Sequence, residues 1–205
     1  TSMFLTEECL AFVDDLAHEA RRRGLRVLAE LHGHHRDQRR LADHVDLVYD
    51  FALPPLVLHA LHTGDVAPLG RWFADRPPNA VTVLDTHDGI GLVDVASGAP
   101  GPGLLDDRDL DRLVSTVGTA TGGVSTAASR PVPWQRAPYA LNTTFLDGLG
   151  GDRDRFLAAR LVQLFTPGEP QVYYVGLLGG RNDLARAERT GEGRELNRHR
   201  YDDAE

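Results

Sequence analysis

The amino-acid sequence predicts an α/β fold in which parallel strands alternate with helices. Three observations support this fold class. Segments with apolar residues at helical spacing alternate along the chain with short runs rich in β-branched residues. These runs are apolar throughout, which is typical of parallel strands covered by helices. Polar residues follow the runs, where folds of this class carry their functional groups.

Four helices are predicted, and the first has both of its ends marked in the sequence. Its apolar residues begin after Thr6, whose hydroxyl can cap the first turn, and they stop before Gly24. Pro54 and Pro55 suit the first turn of the second helix. The other helices are predicted over residues 54–62, 104–117 and 152–165.

Four strands are predicted from short apolar runs that are rich in β-branched and aromatic residues. They cover residues 25–31, 46–51, 80–85 and 171–175. The stretch 119–138 is rich in Gly, Ser, Thr, Ala and Pro and lies in a long connection, and such connections in compact domains are usually functional.

Composition excludes several classes of function. The 205 residues are 41% hydrophobic, enough for a packed core, and no stretch approaches the ~20 apolar residues of a membrane span. The net charge of −8 argues against nucleic acid as the main partner. Cys9 is the single cysteine, so an internal disulfide is excluded and a cytoplasmic setting is expected. The first residues show no signal-peptide pattern.

Two groups of polar residues stand where predicted strands end. Glu30 and His32 follow the first strand, where a carboxyl group can serve as a general acid. His87 and Asp88 follow the third strand, and Gly89 permits an unusual turn there. Glycoside chemistry needs two carboxyl groups at one bond. The alternatives are a structural glutamate paired with an arginine and an aspartate that stabilises a turn.

Two further groups suggest ligands of other kinds. His32 and His34 form an H-x-H pattern, which holds Zn²⁺ in some barrel hydrolases, with Asp88 as a further ligand. The alternative, which we favour, places His34 and His35 on an exposed loop and predicts no metal. Arg194 lies in a basic segment after the last strand and suits bidentate phosphate binding, unless that segment is a solvated loop.

Five segments together resemble the sucrose phosphorylases and their relatives in the α-amylase superfamily, glycoside hydrolase family 13. The resemblance covers most of the chain and weakens only over residues 98–138. The segments are LAELHGHH (28–35), LVYDFALPPLVLHAL (47–61), TVLDTHDGIGLVDV (82–95), PGEPQVYYVGLLGGRNDL (167–184) and GRELNRH (193–199).

The resemblance implies the C-terminal half of a (β/α)₈ TIM barrel with a long loop and helical insertion after the third strand present. Residues 1–97 would form barrel strands and helices, and residues 98–140 an inserted loop or small subdomain. Residues 141–205 would form the last barrel helix, the last strand and a substrate loop.

The resemblance also implies a retaining glucosyl transfer, without a cofactor, between a small glucoside and inorganic phosphate. Glu30 is expected to be the general acid/base and Asp88 the transition-state stabiliser. His87 is expected to bind sugar, and His32 and Arg194 to serve the acceptor or phosphate site. The aspartate nucleophile of the family follows an earlier strand. The 205 residues alone are therefore expected to be inactive, and the candidate assembly is a homodimer.

One departure from the family pattern concerns the acceptor. Alignment on residues 142–144 places Ala137 and Ala140 where sucrose-specific members carry an Asp and a Gln. Trp134 and Gln135 lie just upstream and are candidates for a different acceptor pocket. The expected glucosides are therefore sucrose, a sucrose phosphate, glucosylglycerol or glucosylglycerate. A hydrolase or transglucosidase of the same superfamily, and a truncated non-catalytic chain, remain as alternatives.

Overall fold

The structure, a computed structural model, describes residues 5–129 and 137–203. A parallel four-stranded sheet has the order β1-β2-β3-β6, and β4 and β5 form a separate antiparallel pair. The strands are β1 (Leu28–Ala29), β2 (Leu47–Asp50), β3 (Ala80–Thr82), β4 (Ile90–Gly91), β5 (Ala140–Leu141) and β6 (Glu169–Pro170). The predicted parallel α/β arrangement is confirmed.

Helices connect the strands. They are α1 (Glu7–Arg22), α2 (His35–Ala42), α3 (Leu53–Thr63), α4 (Ala67–Asp75), α5 (Asp107–Ala120), α6 (Val124–Ala128), α7 (Phe145–Gly148), α8 (Arg153–Phe165), α9 (Tyr174–Leu177) and α10 (Leu184–Thr190), with a 3₁₀ helix over Gly193–Asn197. None of the described helices combines the length and the apolar character that crossing a bilayer requires.

The predicted ends of α1 and α8 agree with the structure, whereas the helix predicted over residues 104–117 is displaced to Asp107–Ala120. The hydroxyl of Thr6 accepts a hydrogen bond from the backbone N–H of Cys9 at 3.3 Å, and Gly24 follows α1 with a positive φ of 73°. Asp152 caps α8 by accepting from the N–H groups of Asp154 and Arg155, both at 3.0 Å. Such caps satisfy the amides that an isolated helix leaves without partners.

Two groups of apolar side chains form the core. The larger one joins α3, α4, α5, α7 and α8 and includes the fully buried Trp72. Leu113 and Val117 place α5 in this same core. The smaller group lies where α1 and α2 pack near β2, and Leu10 and Val48 belong to it.

The predicted strand over residues 171–175 is wrong. Pairing with β3 ends at Pro170, and the N–H of Gln171 still donates to the carbonyl of Thr82 at 3.0 Å. The chain then turns into α9, which starts at Tyr174. The aromatic run favours a strand locally, but contacts with the rest of the fold override such preferences. The other predicted strands are confirmed with narrower bounds.

A buried polar network fixes this turn. Arg160 of α8 donates two hydrogen bonds from Nη2 to the carboxylate of Asp85, at 2.8 and 2.9 Å. Its Nη1 donates to Oε1 of Gln163 at 2.7 Å. Gly176 of α9 lies so close to this pair that a Cβ atom at that position would overlap both Asp85 and Arg160. Any larger residue at position 176 must displace a buried ion pair.

We predict that Gly176→Ala lowers the free energy of unfolding by about 1–3 kcal/mol, the usual effect of overpacking. Urea denaturation followed by circular dichroism measures the change. Gly70→Ala is the matched control, because Gly70 lies in α4 with nothing within 4 Å of an added Cβ. That variant should be unchanged or more stable, since alanine favours helices. Equal stability of the two variants would contradict the close approach at Gly176.

Candidate active site

A cavity of about 450 Å³ lies on the side of the sheet where the parallel strands end. Functional groups of α/β folds collect on this side, because the loops that follow the strands meet there. The wall is polar and carries both signs of charge. It includes His32, Asp88, Tyr139, Ala140, Arg194 and Arg198.

The structure brings three of the predicted site residues together. One polar atom from each of Glu30, His32 and Asp88 lies within 4.8 Å of the others. Nε2 of His32 is 4.0 Å from Oε1 of Glu30 and 3.8 Å from Oδ2 of Asp88. Glu30 follows β1 and Asp88 follows β3, so the sheet itself sets this arrangement.

Glu30 is the most accessible of the three. Its side chain is 50% exposed, so it is not enclosed within the described residues. It borders a second, smaller cavity of about 60 Å³, together with the aromatic side chains of Tyr49, Phe51 and Tyr173. Glu30 does not line the larger cavity itself, and its carboxyl group approaches that cavity only through His32, 4.0 Å away.

The ring of His32 is held on two sides. It stacks on Phe51 with ring centroids 3.9 Å apart, and its Nδ1 lies 3.4 Å from Oδ2 of Asp94. Burial lowers the pKa of His32, but the hydrogen bond and charge of Asp94, with the charges of Asp88 and Glu30, outweigh burial and raise the pKa above its usual value. These carboxylates therefore favour the imidazolium form relative to that of a free histidine.

Two arginines face Asp88. Nη1 of Arg194 lies 3.0 Å from Oδ1 of Asp88, and Nη2 of Arg198 lies 3.3 Å from the same oxygen. The Nε–H of Arg198 also donates to the carbonyl of His87 at 2.7 Å. The side chain of His87 itself is 55% exposed, with Nε2 3.5 Å from Oδ2 of Asp88. Arg194 thus joins the predicted site through Asp88.

Sequence reasoning missed several residues of the site. Asp94, Tyr139 and Arg198 have no local pattern that separates them from ordinary loop or strand residues. Arg198 had the best available signal, because it lies in the same basic segment as Arg194. Asp94 follows two apolar residues and is buried by contacts distant in the sequence, so only the fold reveals it.

The predicted exposed loop at His34 and His35 is wrong, and so is the H-x-H alternative. Both side chains are buried. Nε2 of His34 lies 3.2 Å from the carbonyls of Gly101 and Pro102, and its Nδ1 caps α2. Burial and neighbouring positive charge lower the pKa of His35 to about 4. Neither ring joins His32, because each has its own structural partners.

The polar atoms of Glu30, His32 and Asp88 lie close enough to one another to bind one divalent cation. Asp88 already pairs with two guanidinium groups, which repel a cation. The donor set therefore fits a site for sugar hydroxyls better than a metal centre.

The residues proposed for the acceptor differ in their placement. Ala140 lines the cavity. Ala137 is only 4% exposed and belongs to the larger core, and it does not line this cavity. Trp134 and Gln135 lie outside the described residues.

Proteins of known activity resemble this chain in sequence and in structure. A scan against protein-family models found no match. The chain is 50% identical over its whole length to a sucrose phosphorylase of Agrobacterium vitis and 47% identical to one of Bifidobacterium adolescentis. It matches the solved structure of sucrose 6F-phosphate phosphorylase from Thermoanaerobacter thermosaccharolyticum over 97% of its length, with a TM-score of 0.83 and 36% identity.

The match covers only part of each relative. The chain spans 42% of the A. vitis protein, 41% of the B. adolescentis protein and 39% of the solved chain. Identity is nevertheless high along the whole of the present sequence, and the two structures superimpose over nearly all of it. By sequence and by structure the chain is therefore sucrose phosphorylase-like over its whole length, and it corresponds to about two fifths of each relative.

Proposed function

We propose that this chain carries the acid/base and the transition-state stabiliser of a retaining phosphorylase. The enzyme transfers an α-glucosyl unit between a small glucoside and inorganic phosphate, giving glucose 1-phosphate. The observation that carries the proposal is the cluster of Glu30, His32 and Asp88 at the strand ends, with Arg194 beside it. The activity is proposed for a protein of the relatives' length, since the chain spans about two fifths of them.

The sheet supports the fold part of the proposal. Within the described residues, β1 and β6 each pair with one neighbour only. We infer that further strands of the longer protein pair with them and close a (β/α)₈ barrel. Closure would remove two unpaired sheet edges, which favour aggregation when left open.

Glu30 and Asp88 have different roles in the proposed reaction. Glu30 donates its proton to the glycosidic oxygen as the bond to the sugar breaks, and a carboxylate nucleophile from an earlier strand takes the sugar. Phosphate then attacks the glucosyl-enzyme, and its proton passes to Glu30. Asp88 accepts hydrogen bonds from sugar hydroxyls and stabilises the positive charge that develops on the ring.

The cationic groups of Arg194 and His32 are proposed to bind phosphate. Arg194 carries a permanent charge, and His32 carries one when protonated. His87 projects from the loop of Asp88 and is assigned to a sugar hydroxyl. Phosphate and the departing acceptor share one subsite, because each reacts on the same face of the sugar.

We predict that Glu30→Gln slows phosphorolysis of the natural glucoside by at least ~10²-fold, the usual effect of losing general acid catalysis. Glucosyl fluoride needs little protonation, so formation of the glucosyl-enzyme from it should be spared. Rates of glucose 1-phosphate and fluoride release measure the two cases.

The control for this prediction is Glu169→Gln. Glu169 lies on β6 and pairs with Arg26 at 2.5 Å, away from the cavity. This variant should retain activity on both donors. An equal loss on both donors in Glu30→Gln would assign Glu30 a structural role, and product formation without phosphate would indicate a hydrolase or transglucosidase.

We predict that phosphorolysis needs no metal ion. The carboxyl groups suffice for glucosyl transfer, and the arginines at Asp88 oppose a bound cation. Elemental analysis should find no stoichiometric Zn²⁺ in the purified protein, and EDTA should leave the rate unchanged. Inhibition by EDTA that added Zn²⁺ reverses would contradict the prediction.

The acceptor prediction concerns Ala140. Its methyl side chain offers no hydrogen bond to a fructose hydroxyl. The same wall carries Arg194 and Arg198 beside the acidic Asp88, Glu192 and Glu195, and we expect an anionic acceptor to bind at the two arginines in preference to fructose. Phosphate release from glucose 1-phosphate, measured with fructose, glycerate, glycerol and fructose 6-phosphate, tests this order. Ala140→Gln should raise the relative use of fructose roughly 2- to 10-fold by adding one hydrogen-bonding group.

The matched control is Ala99→Gln, at an exposed position outside the cavity wall. It should leave the order of acceptors unchanged. A clear preference of the unmodified protein for fructose would show that residues other than position 140 supply the hydrogen bonds to the fructose hydroxyls.

A further inference from the structure

Asp94 is a buried carboxylate beneath the cavity. Its side chain has no solvent exposure. Oδ1 accepts hydrogen bonds from the backbone N–H of Gly33 at 3.1 Å and from Nε2 of Gln38 at 2.7 Å, and Oδ2 lies 3.4 Å from Nδ1 of His32. Burial raises the pKa of Asp94 above its usual value, and the three nitrogen atoms that converge on the carboxylate act against that shift.

The opposite nitrogen of His32 has no such partner. Nε2 is buried and makes no hydrogen bond to any described residue. The carboxylates of Glu30 and Asp88 lie 4.0 and 3.8 Å from it, beyond hydrogen-bond distance. The ring lines the cavity, and Nε2 is its nitrogen without a hydrogen-bond partner among the described residues.

Gly91 leaves room for the carboxylate of Asp94 because it has no side chain. A Cβ atom on Gly91 would overlap Oδ2 of Asp94 and approach Nδ1 of His32 to 3.5 Å. Gly91 lies on β4, whose partner β5 carries Ala140 opposite it. The carboxylate is therefore held between this pair of strands and the loop after β1.

We propose that Asp94 is a positioning residue for His32, which fixes Nδ1–H toward the buried carboxylate and keeps a charged Nε2–H directed at phosphate. The proposal rests on the proposed function and identifies what maintains the cationic side of its acceptor subsite. His32 donates from Nε2 to a phosphate oxygen, and the negative charge of Asp94 balances the imidazolium from behind.

The neighbours of His32 determine the direction of the effect. Glu30 lies on the strand-end loop of His32 itself, Asp88 faces it from the loop after β3, and Tyr139 contacts its ring edge-on at 6.3 Å. The positive charges of Arg194 and Arg198 lie beyond Asp88. Without Asp94, burial lowers the pKa of His32, with less negative charge to oppose it.

The test is Asp94→Asn in the full-length protein, with the KM for phosphate measured from pH 5.5 to 8. The pKa of His32 is raised in the unmodified protein, so its charge persists to higher pH than that of a free histidine and is lost as the pH rises further. In the variant, the increase of KM with pH should begin at least about one pH unit lower. At pH 7.5, KM should be roughly tenfold higher or more, with a smaller change in kcat.

Two further variants separate positioning from stability. Asp50→Asn removes another fully buried carboxylate, which binds Trp72 and Arg76 outside the cavity, and it should not move the pH profile of KM. In a His32→Asn background, adding Asp94→Asn should not raise KM further. An unchanged pH profile in folded Asp94→Asn, or an additional loss in the double variant, would overturn the proposal.

A measurement independent of activity uses ¹⁵N-labelled histidine, with the His32 signals assigned by their loss in His32→Asn. In the unmodified protein, Nδ1 should keep its proton when the ring becomes neutral. In Asp94→Asn, the ring should titrate at lower pH. If the protein performs no phosphorolysis, the proposed function fails, and this titration alone decides the role of Asp94. A neutral ring with bare Nδ1 in the unmodified protein overturns the role, whether or not Asp94→Asn folds.

Discussion

The buried ion pair of Asp85 and Arg160 is the interaction on which the site depends. Both side chains are almost enclosed, so their desolvation is costly and must be offset by good geometry and further hydrogen bonds. Gln163 supplies these bonds, since it accepts from Arg160 and donates from Nε2 to the carbonyls of Thr82 and Gln171, both at 2.9 Å. One network therefore ties the end of β3 to the chain that follows β6, and it sets the start of the loop that carries Asp88.

The loops after β3 and after α10 depend on each other. Nδ2 of Asn197 donates to the carbonyl of Thr86 at 2.9 Å, and Arg198 binds both the carbonyl of His87 and the carboxylate of Asp88. Residues that are more than 100 positions apart in the sequence thus form one polar wall. Because these groups share partners, substitutions among them should not have additive effects.

Sequence reasoning was accurate where the cause of the structure is local. The cap at Thr6, the end of α1 at Gly24 and the start of α8 next to Asp152 all depend on neighbours within a few residues. It failed where contacts between residues far apart in the sequence determine the local structure. The run over residues 171–175 favours a strand, yet Gly176 must lie against Asp85, so the chain turns. Asp94 was missed because its donors, at Gly33 and Gln38, lie far away in the sequence.

The antiparallel pair β4–β5 links two properties that the sequence presents separately. Gly91 and Ala140 are register partners, so the residue that leaves room for Asp94 sits opposite the residue that lines the acceptor side of the cavity. The part of the cavity wall at Ala140 and the space for Asp94, which contacts His32, therefore depend on the same two short strands. A larger side chain at position 140 can extend into the cavity, whereas one at position 91 would overlap Asp94. The acceptor side of the cavity therefore tolerates a change of side-chain size, and the support of His32 does not, although the two positions are opposite each other on one pair of strands.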